Sequence, residues 1–215
     1  MSDTVNKEID KRHRCFIFGA LNAGYMSEKP TVGDLIIAAD RGYDVAVSKG
    51  IKPDITVGDF DSRGSTPDTD NLITLEVRKD DTDVGHAVET GFDHGFSDFV
   101  VYGAVGGLLD HTLANIVIAR DIVEKGGSAL FIGDEYSFTV IKNSLFRFDK
   151  RDRGRISVFS LSEVAGGVDI KGLSYEAEKL SLTCNSHMGV SNSFIGEEAV
   201  ISVSDGILLI VWQSE

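Results

Sequence analysis

The chain has 215 residues, of which 42% are hydrophobic and 26% charged, a composition typical of a soluble globular protein with a sizeable core. Its formal net charge of -13 argues against a general binder of nucleic acids or anionic membranes, because such proteins need lysine and arginine to displace counterions from phosphates. No apolar run approaches the roughly 18 residues of a membrane span, and the polar residues 1–14 lack the apolar core of a secretory signal, so we expect a cytoplasmic protein.

The first two-thirds of the chain alternates between apolar runs and helical patterns. Six short runs rich in Val, Ile and Phe are nearly continuous in hydrophobicity, which is typical of strands buried on both faces. They lie at 14–20, 34–40, 54–59, 72–77, 98–104 and 128–134. Apolar residues recur with helical spacing over 82–95 and 110–127. The alternation predicts an α/β fold, a parallel sheet with helices on both faces.

The second helical pattern contains an apolar stripe with helical spacing. Leu113, Ile116, Val117 and Val123 form this stripe, cap-type residues open the segment, and two glycines at 126–127 close it. The stripe supports a helix over 110–127.

From about residue 136 the pattern changes to strands separated by Gly, Asn, Asp and Ser turns. The strands lie at 137–143, 144–149, 155–162, 167–172, 179–184, 199–205 and 207–212. No helical pattern separates them, so we predict an antiparallel β-sandwich. Placing the boundary near Asn143 gives an α/β domain over 1–143 and an all-β domain over 144–215.

Polar residues follow four of the predicted parallel strands. They are Asp40, the pair Asp59 and Asp61, the segment 79–83 and the segment 103–112. Ligands of open parallel sheets bind outside the carboxyl ends of the strands, so these residues should converge on one cleft. Residues i and i+2 of an extended segment point to the same side, so Asp59 and Asp61 could reach one cation while Phe60 turns toward the core. Carboxylate oxygens suit magnesium.

The same cleft should receive an anion. The glycines of 103–107 let backbone N–H groups approach an anion closely, and the helix that begins near Asp110 presents its positive end to it. Each of these signals has a structural alternative. An isolated D-x-D is more often a capped turn, a glycine turn before a helix is usually a tight connection, and His111 could be a capping residue.

Five motifs together resemble the thiamine pyrophosphokinase family. They are "AADRG" (38–42), "VGDFDS" (57–62), "KDDTD" (79–83), "GAVGGLLDHTLANI" (103–116) and "GVSNSF" (189–194). The resemblance implies an N-terminal Rossmann-like nucleotide-binding domain followed by a β-sandwich that binds thiamine and forms a dimer. It also implies transfer of the pyrophosphoryl group of ATP to the hydroxyl of thiamine, with magnesium, giving thiamine diphosphate and AMP.

The resemblance assigns roles to individual residues. It implies that Asp59, Asp61 and Asp83 hold magnesium and organise the phosphates, with Asp80 and Asp40 close by, and that Asp83 could accept the hydroxyl proton. The residues implied on the ATP side are Ser62, Lys79, Gly106, Gly107, Asp110, His111 and Thr112. Ser191 and Asn192 match the motif that faces thiamine, where the alternative is a hairpin turn.

One position departs from the family pattern. Leu108 stands where an arginine is usual, and an arginine there is suited to grip phosphate. We hypothesise that Arg41, at another strand end, supplies the lost charge; the alternative is a surface arginine at a helix start. The basic stretch 147–155 is a further source of positive charge or a solvated hairpin. Two rival functions stay open, another magnesium-dependent phosphate enzyme and a non-catalytic ligand-binding protein.

Overall fold

The computed structural model describes residues 13–22, 26–59, 71–74 and 82–214. Three helices lie within these ranges: α1 (Gly42–Ser48), α2 (Asp83–Asp93) and α3 (Leu109–Glu124). The first seven strands are β1 (Cys15–Phe18), β2 (Leu35–Ala39), β3 (Ile55–Gly58), β4 (Leu72–Thr74), β5 (Asp98–Tyr102), β6 (Ser128–Ile132) and β7 (Tyr136–Lys142). The others are β8 (Leu145–Arg151), β9 (Arg155–Ser160), β10 (Val164–Lys171), β11 (Ala177–Thr183), β12 (Asn192–Ser193), β13 (Glu197–Ser202) and β14 (Ile207–Gln213).

A ten-stranded sheet runs through the whole molecule. Its order is β12-β9-β14-β7-β6-β5-β1-β2-β3-β4, and the six strands from β4 to β6 are parallel while the remaining pairs are antiparallel. Phe16 of β1 is paired with Ile36 on one side and Val100 on the other, and all four residues of β1 are buried. The predicted mixed α/β fold with a parallel sheet is confirmed. The Rossmann-like detail stays a prediction.

The three helices cover both faces of the parallel part. α2 and α3 pack on one face, against a core that includes Ile17, Ile37 and Val101. α1 packs on the other face, where Ala46 contacts a cluster that includes Phe18. Successive strand residues point to opposite faces, so near-continuous apolar runs supply both cores.

The apolar stripe predicted for α3 is only partly buried. Val123 is buried and Ile116 packs against the core, whereas Leu113 and Val117 are 54% and 66% exposed. The side of α3 that faces the sheet also buries Asn115, whose amide reaches a backbone carbonyl just after β5. The exposed stripe leaves an apolar face at the molecular surface.

Asp34 connects the beginnings of β1 and β2. Its carboxylate accepts hydrogen bonds from the backbone N–H of Arg14 (2.8 Å), the backbone N–H of Thr31 (2.7 Å) and the Thr31 hydroxyl (2.9 Å). Burial disfavours the charged form of Asp34, but these hydrogen bonds outweigh it and hold the pKa of the carboxyl below its usual range. The charged carboxylate therefore stabilises the native state.

The C-terminal part is a two-layer antiparallel arrangement. β11-β10-β13-β8 form a four-stranded sheet whose apolar face packs on the antiparallel end of the large sheet. Trp212 of β14 contacts Phe146 and Phe148 of β8 in this second core. The antiparallel sandwich is confirmed, but its second layer is an extension of the ten-stranded sheet. The proposed domain boundary near Asn143, between β7 and β8, stays a prediction.

No helix in the described ranges is long and apolar enough to cross a membrane.

Candidate functional site

The strand order creates a crevice between the carboxyl ends of β1 and β5. The chain leaves β1 toward β2, β3 and β4, and it returns on the other side of β1 as β5. In open α/β sheets, ligands bind outside the carboxyl ends of the strands where the strand order reverses in this way. The structure therefore predicts a binding site at this edge.

Two backbone loops cross closely at the crevice. The Gly19 N–H donates to the carbonyl of Tyr102 (2.7 Å), and the Leu21 N–H donates to the carbonyl of Gly103 (2.9 Å). Gly103 has a φ of +67°, and a Cβ there would lie 2.1 Å from the Leu21 carbonyl oxygen. Only glycine fits at position 103, because a side chain would push the two loops apart.

A cavity of about 450 Å³ opens at this point. Its lining combines loop glycines with the polar residues that follow β2 and begin α2 and α3. The lining residues are Ala20, Leu21, Ala39, Asp40, Thr82, Asp83, Val84, Gly103, Ala104, Gly106, Leu108, His111 and Asn115. Two carboxylates and an imidazole thus line the cleft, together with the polar side chains of Thr82 and Asn115, loop backbone and apolar side chains.

Asp40 and Asp83 are positioned by different local structures. Asp40 has a φ of +48°, in the left-handed region that aspartate tolerates better than most residues. Its N–H extends the sheet by donating to the Val57 carbonyl (2.7 Å). Asp83 is the first residue of α2, whose N-cap Thr82 accepts a hydrogen bond from the Gly85 N–H (3.1 Å). The Asp83 carboxylate sits at the positive end of that helix, which stabilises negative charge.

The glycine loop after β5 is fastened to α3 by two side chains. The Thr112 hydroxyl accepts from the Gly106 N–H (3.1 Å) and lies 3.2 Å from the Gly106 carbonyl oxygen, to which it can donate. The buried Asn115 amide donates to the Ala104 carbonyl (2.6 Å). These bonds fix the loop at the N-terminus of α3.

The N-terminus of α3 lacks a capping side chain at its first position. Leu108 is the N-cap and makes no side-chain hydrogen bond to the helix. The carboxylate of Asp110 accepts from the His111 N–H (2.9 Å). Leucine is among the poorest N-cap residues, so backbone donors of the first turn can serve an anionic ligand instead.

The predicted nucleotide and catalytic residues fall into four groups. Asp40, Asp83, Gly106 and His111 line the cavity. Thr112 and Gly107 line an adjoining cavity of about 600 Å³ that shares Leu21 and Gly106 with the first. The predicted residues that line neither cavity are Asp59, directly after β3, Arg41, directly before α1, and Asp110. Asp61, Ser62, Lys79, Asp80 and also Phe60 lie outside the described residues.

The predicted thiamine residues lie in the sandwich. Ser191 is exposed with a φ of +65°, and Asn192 is buried in β12. The Asn192 carboxamide bonds both the N–H and the C=O of Tyr175, at 2.9 Å and 2.6 Å, and so holds two segments of the sandwich together. Its role toward thiamine stays a prediction.

Sequence reasoning missed Thr82 and Asn115. Thr82 precedes α2 as a cap-type residue, so the rules for helix starts could have identified it. Asn115 belongs to the motif "DHTLAN", but its contact with the Ala104 carbonyl depends on how α3 packs against β5, which no local pattern reveals.

Comparisons with known proteins give this arrangement a family. Residues 31–128 match the model "Thiamin pyrophosphokinase, catalytic domain", and residues 145–208 match "Thiamin pyrophosphokinase, vitamin B1 binding domain". The chain belongs to the thiamine pyrophosphokinase family. The two matches fall on the α/β part and the sandwich, in the order that the resemblance predicts.

Individual members of the thiamine pyrophosphokinase family are distant in sequence and similar in fold. A thiamine pyrophosphokinase of Bacillus subtilis is 25% identical over 184 residues, which cover 82% of this chain and 86% of that relative. The crystal structure of a B. subtilis thiamine pyrophosphokinase superposes with a TM-score of 0.80 at 22% identity, covering 94% of this chain and 99% of that one. The Candida albicans structure gives a TM-score of 0.71 at 16% identity, covering 94% and 89%.

Proposed function

We propose that the protein transfers the pyrophosphoryl group of ATP to the hydroxyl of thiamine, giving thiamine diphosphate and AMP. One observation carries the proposal: the two family matches lie, in order, on an α/β part with a cleft at its strand-order reversal and on the sandwich that follows. We also propose that the protein works in the cytoplasm, where ATP is available.

The phosphates of ATP would bind at the glycine loop and the start of α3. Gly106 and Gly107 have φ values of +100° and +64°, so this turn needs residues without a side chain. A phosphate there would accept hydrogen bonds from N–H groups of the first turn of α3 other than that of His111, which donates to Asp110. His111 lines the same cavity and can donate a further hydrogen bond. The adjoining apolar cavity leaves room for the rest of the nucleotide.

The acidic side chains of the cleft fit a magnesium ion. No group of three metal-ligating side chains occurs within the part of the chain that the structure describes. Magnesium does not require one, since it is commonly held by one or two carboxylates together with substrate phosphates and water. Asp83 of the cleft would hold the ion together with Asp61 and with Asp59, which directly follows β3, and Asp40 and Asp80 would lie close to it. The ion would neutralise charge on the phosphate oxygens.

The chemical step is an in-line displacement at the β-phosphorus of ATP. The hydroxyl oxygen of thiamine forms the new bond to that phosphorus, the bond to the oxygen bridging the α-phosphorus breaks, and AMP leaves. The hydroxyl proton must go to an acceptor at the cleft. Asp83 is our choice, because it lines the cavity and is held in place at the start of a capped helix.

Thiamine binding would involve the sandwich of a second subunit. Ser191 and Asn192 are the proposed contacts to thiamine, and a homodimer would bring them to the cleft of the partner. The outer face of α3 supports association. Leu109, Leu113 and Val117 recur every four residues along one side of the helix, next to the cleft, and are 73%, 54% and 66% exposed.

Arg41 is our candidate for the cation that Leu108 does not provide. Leu108 lines the cleft, and Arg41 is exposed and directly follows the cleft residue Asp40. Replacing Arg41 by alanine should raise the apparent KM for ATP, whereas Arg120→Ala, near the C-terminal end of α3, should not. An unchanged KM for ATP in Arg41→Ala would exclude this compensation.

Formation of AMP with and without thiamine tests the function. Purified protein with ATP and magnesium should release AMP only when thiamine is present, and Asp83→Asn should lower the rate at least about 100-fold if it accepts the proton. Asp93→Asn, at the other end of α2, is the matched control. Phosphate release without thiamine would instead indicate a phosphohydrolase, and thiamine binding without product would indicate a binding protein.

A further inference from the structure

A cavity of about 560 Å³ lies on the α1 face of the large sheet, and it shares Asp134 with the cavity that adjoins the candidate active site. Leu130 and Ile132 of β6 line it on the sheet side, and both belong to the cluster on the α1 face. Residues 146–151 of β8, the edge strand of the smaller sheet, form another wall. None of the residues to which we assign a role in the proposed reaction lines this cavity.

Aromatic side chains line part of this cavity. Trp212 stacks on Phe146 with 5.7 Å between ring centroids, and it meets Phe148 edge to face at 5.0 Å. Trp212 is only 8% exposed and lines the cavity. Its ring, with that of Phe146, gives a planar ligand an aromatic surface to contact.

Basic side chains line another part. The segment 147–155 holds five Lys or Arg and two Asp, in a chain whose net charge is -13. Arg147, Lys150 and Arg151 line the cavity, and an adjoining cavity of about 660 Å³ shares Lys150 and Arg151 and adds Arg153. Arg151 is fixed by a hydrogen bond from Nη2 to the Gln213 carbonyl (3.1 Å) and by its position 4.8 Å over the Phe194 ring.

Three acidic side chains also line the cavity, namely Glu28, Asp134 and Asp149. Glu28 is paired with Arg14, with 2.5 Å between Oε2 and Nη2. Asp149 is exposed on β8 and can accept a hydrogen bond from an amino group. The cavity therefore combines an aromatic wall with carboxylate acceptors and with the cations Arg147, Lys150 and Arg151.

We propose that this cavity binds a phosphorylated, amino-substituted heteroaromatic compound, with its ring against Phe146 and Trp212 and its phosphate against Lys150 and Arg153. A purely apolar ligand would make no ionic contact with the cations, and inorganic phosphate would make no ring contact with the aromatic wall. AMP and thiamine diphosphate, the products of the proposed reaction, both have this chemistry. The cavity itself is inferred independently of that reaction.

The fluorescence of Trp212 provides the test, because it is the only tryptophan of the chain. The full-length protein is titrated at constant ionic strength with AMP, with thiamine diphosphate and with inorganic diphosphate. We expect a saturable change with one or both organic compounds and none with inorganic diphosphate. An equal response to inorganic diphosphate, or no response to either product, would overturn the proposal.

Variants separate this cavity from the active site. The double change Lys150→Ala and Arg153→Ala should raise the Kd of the responding compound at least about tenfold, since charge-assisted hydrogen bonds to phosphate are lost. Arg120→Ala, which removes an exposed arginine elsewhere, should leave the Kd unchanged, as should Asp83→Asn in the cleft. A Kd unaffected by the double change but raised by Asp83→Asn would assign the signal to the active site and refute the second one.

Discussion

Replacing Asn115 by alanine tests whether the glycine loop is held in place by α3. The Asn115 amide donates to the Ala104 carbonyl at 2.6 Å, and this side chain is 4% exposed. Its removal leaves a buried carbonyl without its partner, which costs about 1–3 kcal/mol of folding stability. Urea unfolding should report a lower midpoint with an unchanged m-value.

The same change should weaken ATP binding more than the stability loss alone explains. The loop that loses its anchor carries Gly106, which we assign to the phosphates, so the apparent KM for ATP should rise about tenfold, equivalent to about 1.4 kcal/mol. Asn71→Ala is the matched control. It also removes a side-chain hydrogen bond to a backbone carbonyl, here that of Asp54 (3.1 Å), but at an exposed position. An Asn115→Ala protein with reduced stability and unchanged KM for ATP would refute the role of the loop anchor.

Three further predictions concern folding and assembly. Asp34→Asn should lower the free energy of unfolding by about 1–3 kcal/mol near neutral pH. Because the pKa of Asp34 is depressed in the native state, this difference from the unmutated protein should shrink as pH falls below about 4. A difference that does not depend on pH would contradict this account. In urea unfolding, Gly103→Ala should lose more stability than Gly50→Ala. Both glycines have positive φ, but only at position 103 would an added Cβ lie within 4 Å of other backbone atoms. Equal losses of stability would contradict the close crossing of the two loops. Leu113→Asp should shift the protein from dimer toward monomer in light scattering. Val164→Asp, at an exposed site on the sandwich, should leave the dimer unchanged. A dimer unchanged by Leu113→Asp would exclude the α3 face as the dimer interface.

Much of the fold could be predicted from local sequence. The six parallel strands were predicted from apolar runs, because a strand buried on both faces shows no alternation. The orientation of α3 was not predictable in this way. Leu113 and Val117 of its apolar stripe lie at the surface while Ile116 and Val123 face the core, and Asn115 makes a buried polar contact on the side that faces the sheet.

The pairing that makes the large sheet continuous could not be predicted from the sequence either. β14, near the end of the chain, pairs with β7, and β7 pairs with β6 of the parallel part. Pairing between strands so far apart in sequence depends on tertiary packing, and periodicity within one segment carries no information about it.

The candidate site was predictable only in part. The convergence of Asp40, Asp83 and the glycine loop follows from the rule for strand ends, and the structure brings these residues to one cavity. The roles of Thr82 and Asn115 depend on hydrogen bonds to backbone groups that come near them only in the folded chain. The metal set with Asp61 and Asp80 stays a prediction, because both lie outside the described residues.

The fate of the β- and γ-phosphates of ATP tests the central claim most directly. Purified protein is incubated with thiamine, magnesium and ATP that carries label in both of these phosphates. The account predicts that both labelled phosphates appear together in thiamine diphosphate, in an amount equal to the unlabelled AMP formed. Transfer of the γ-phosphate alone, or label found only as free phosphate or diphosphate, would contradict attack at the β-phosphorus and the proposed function with it.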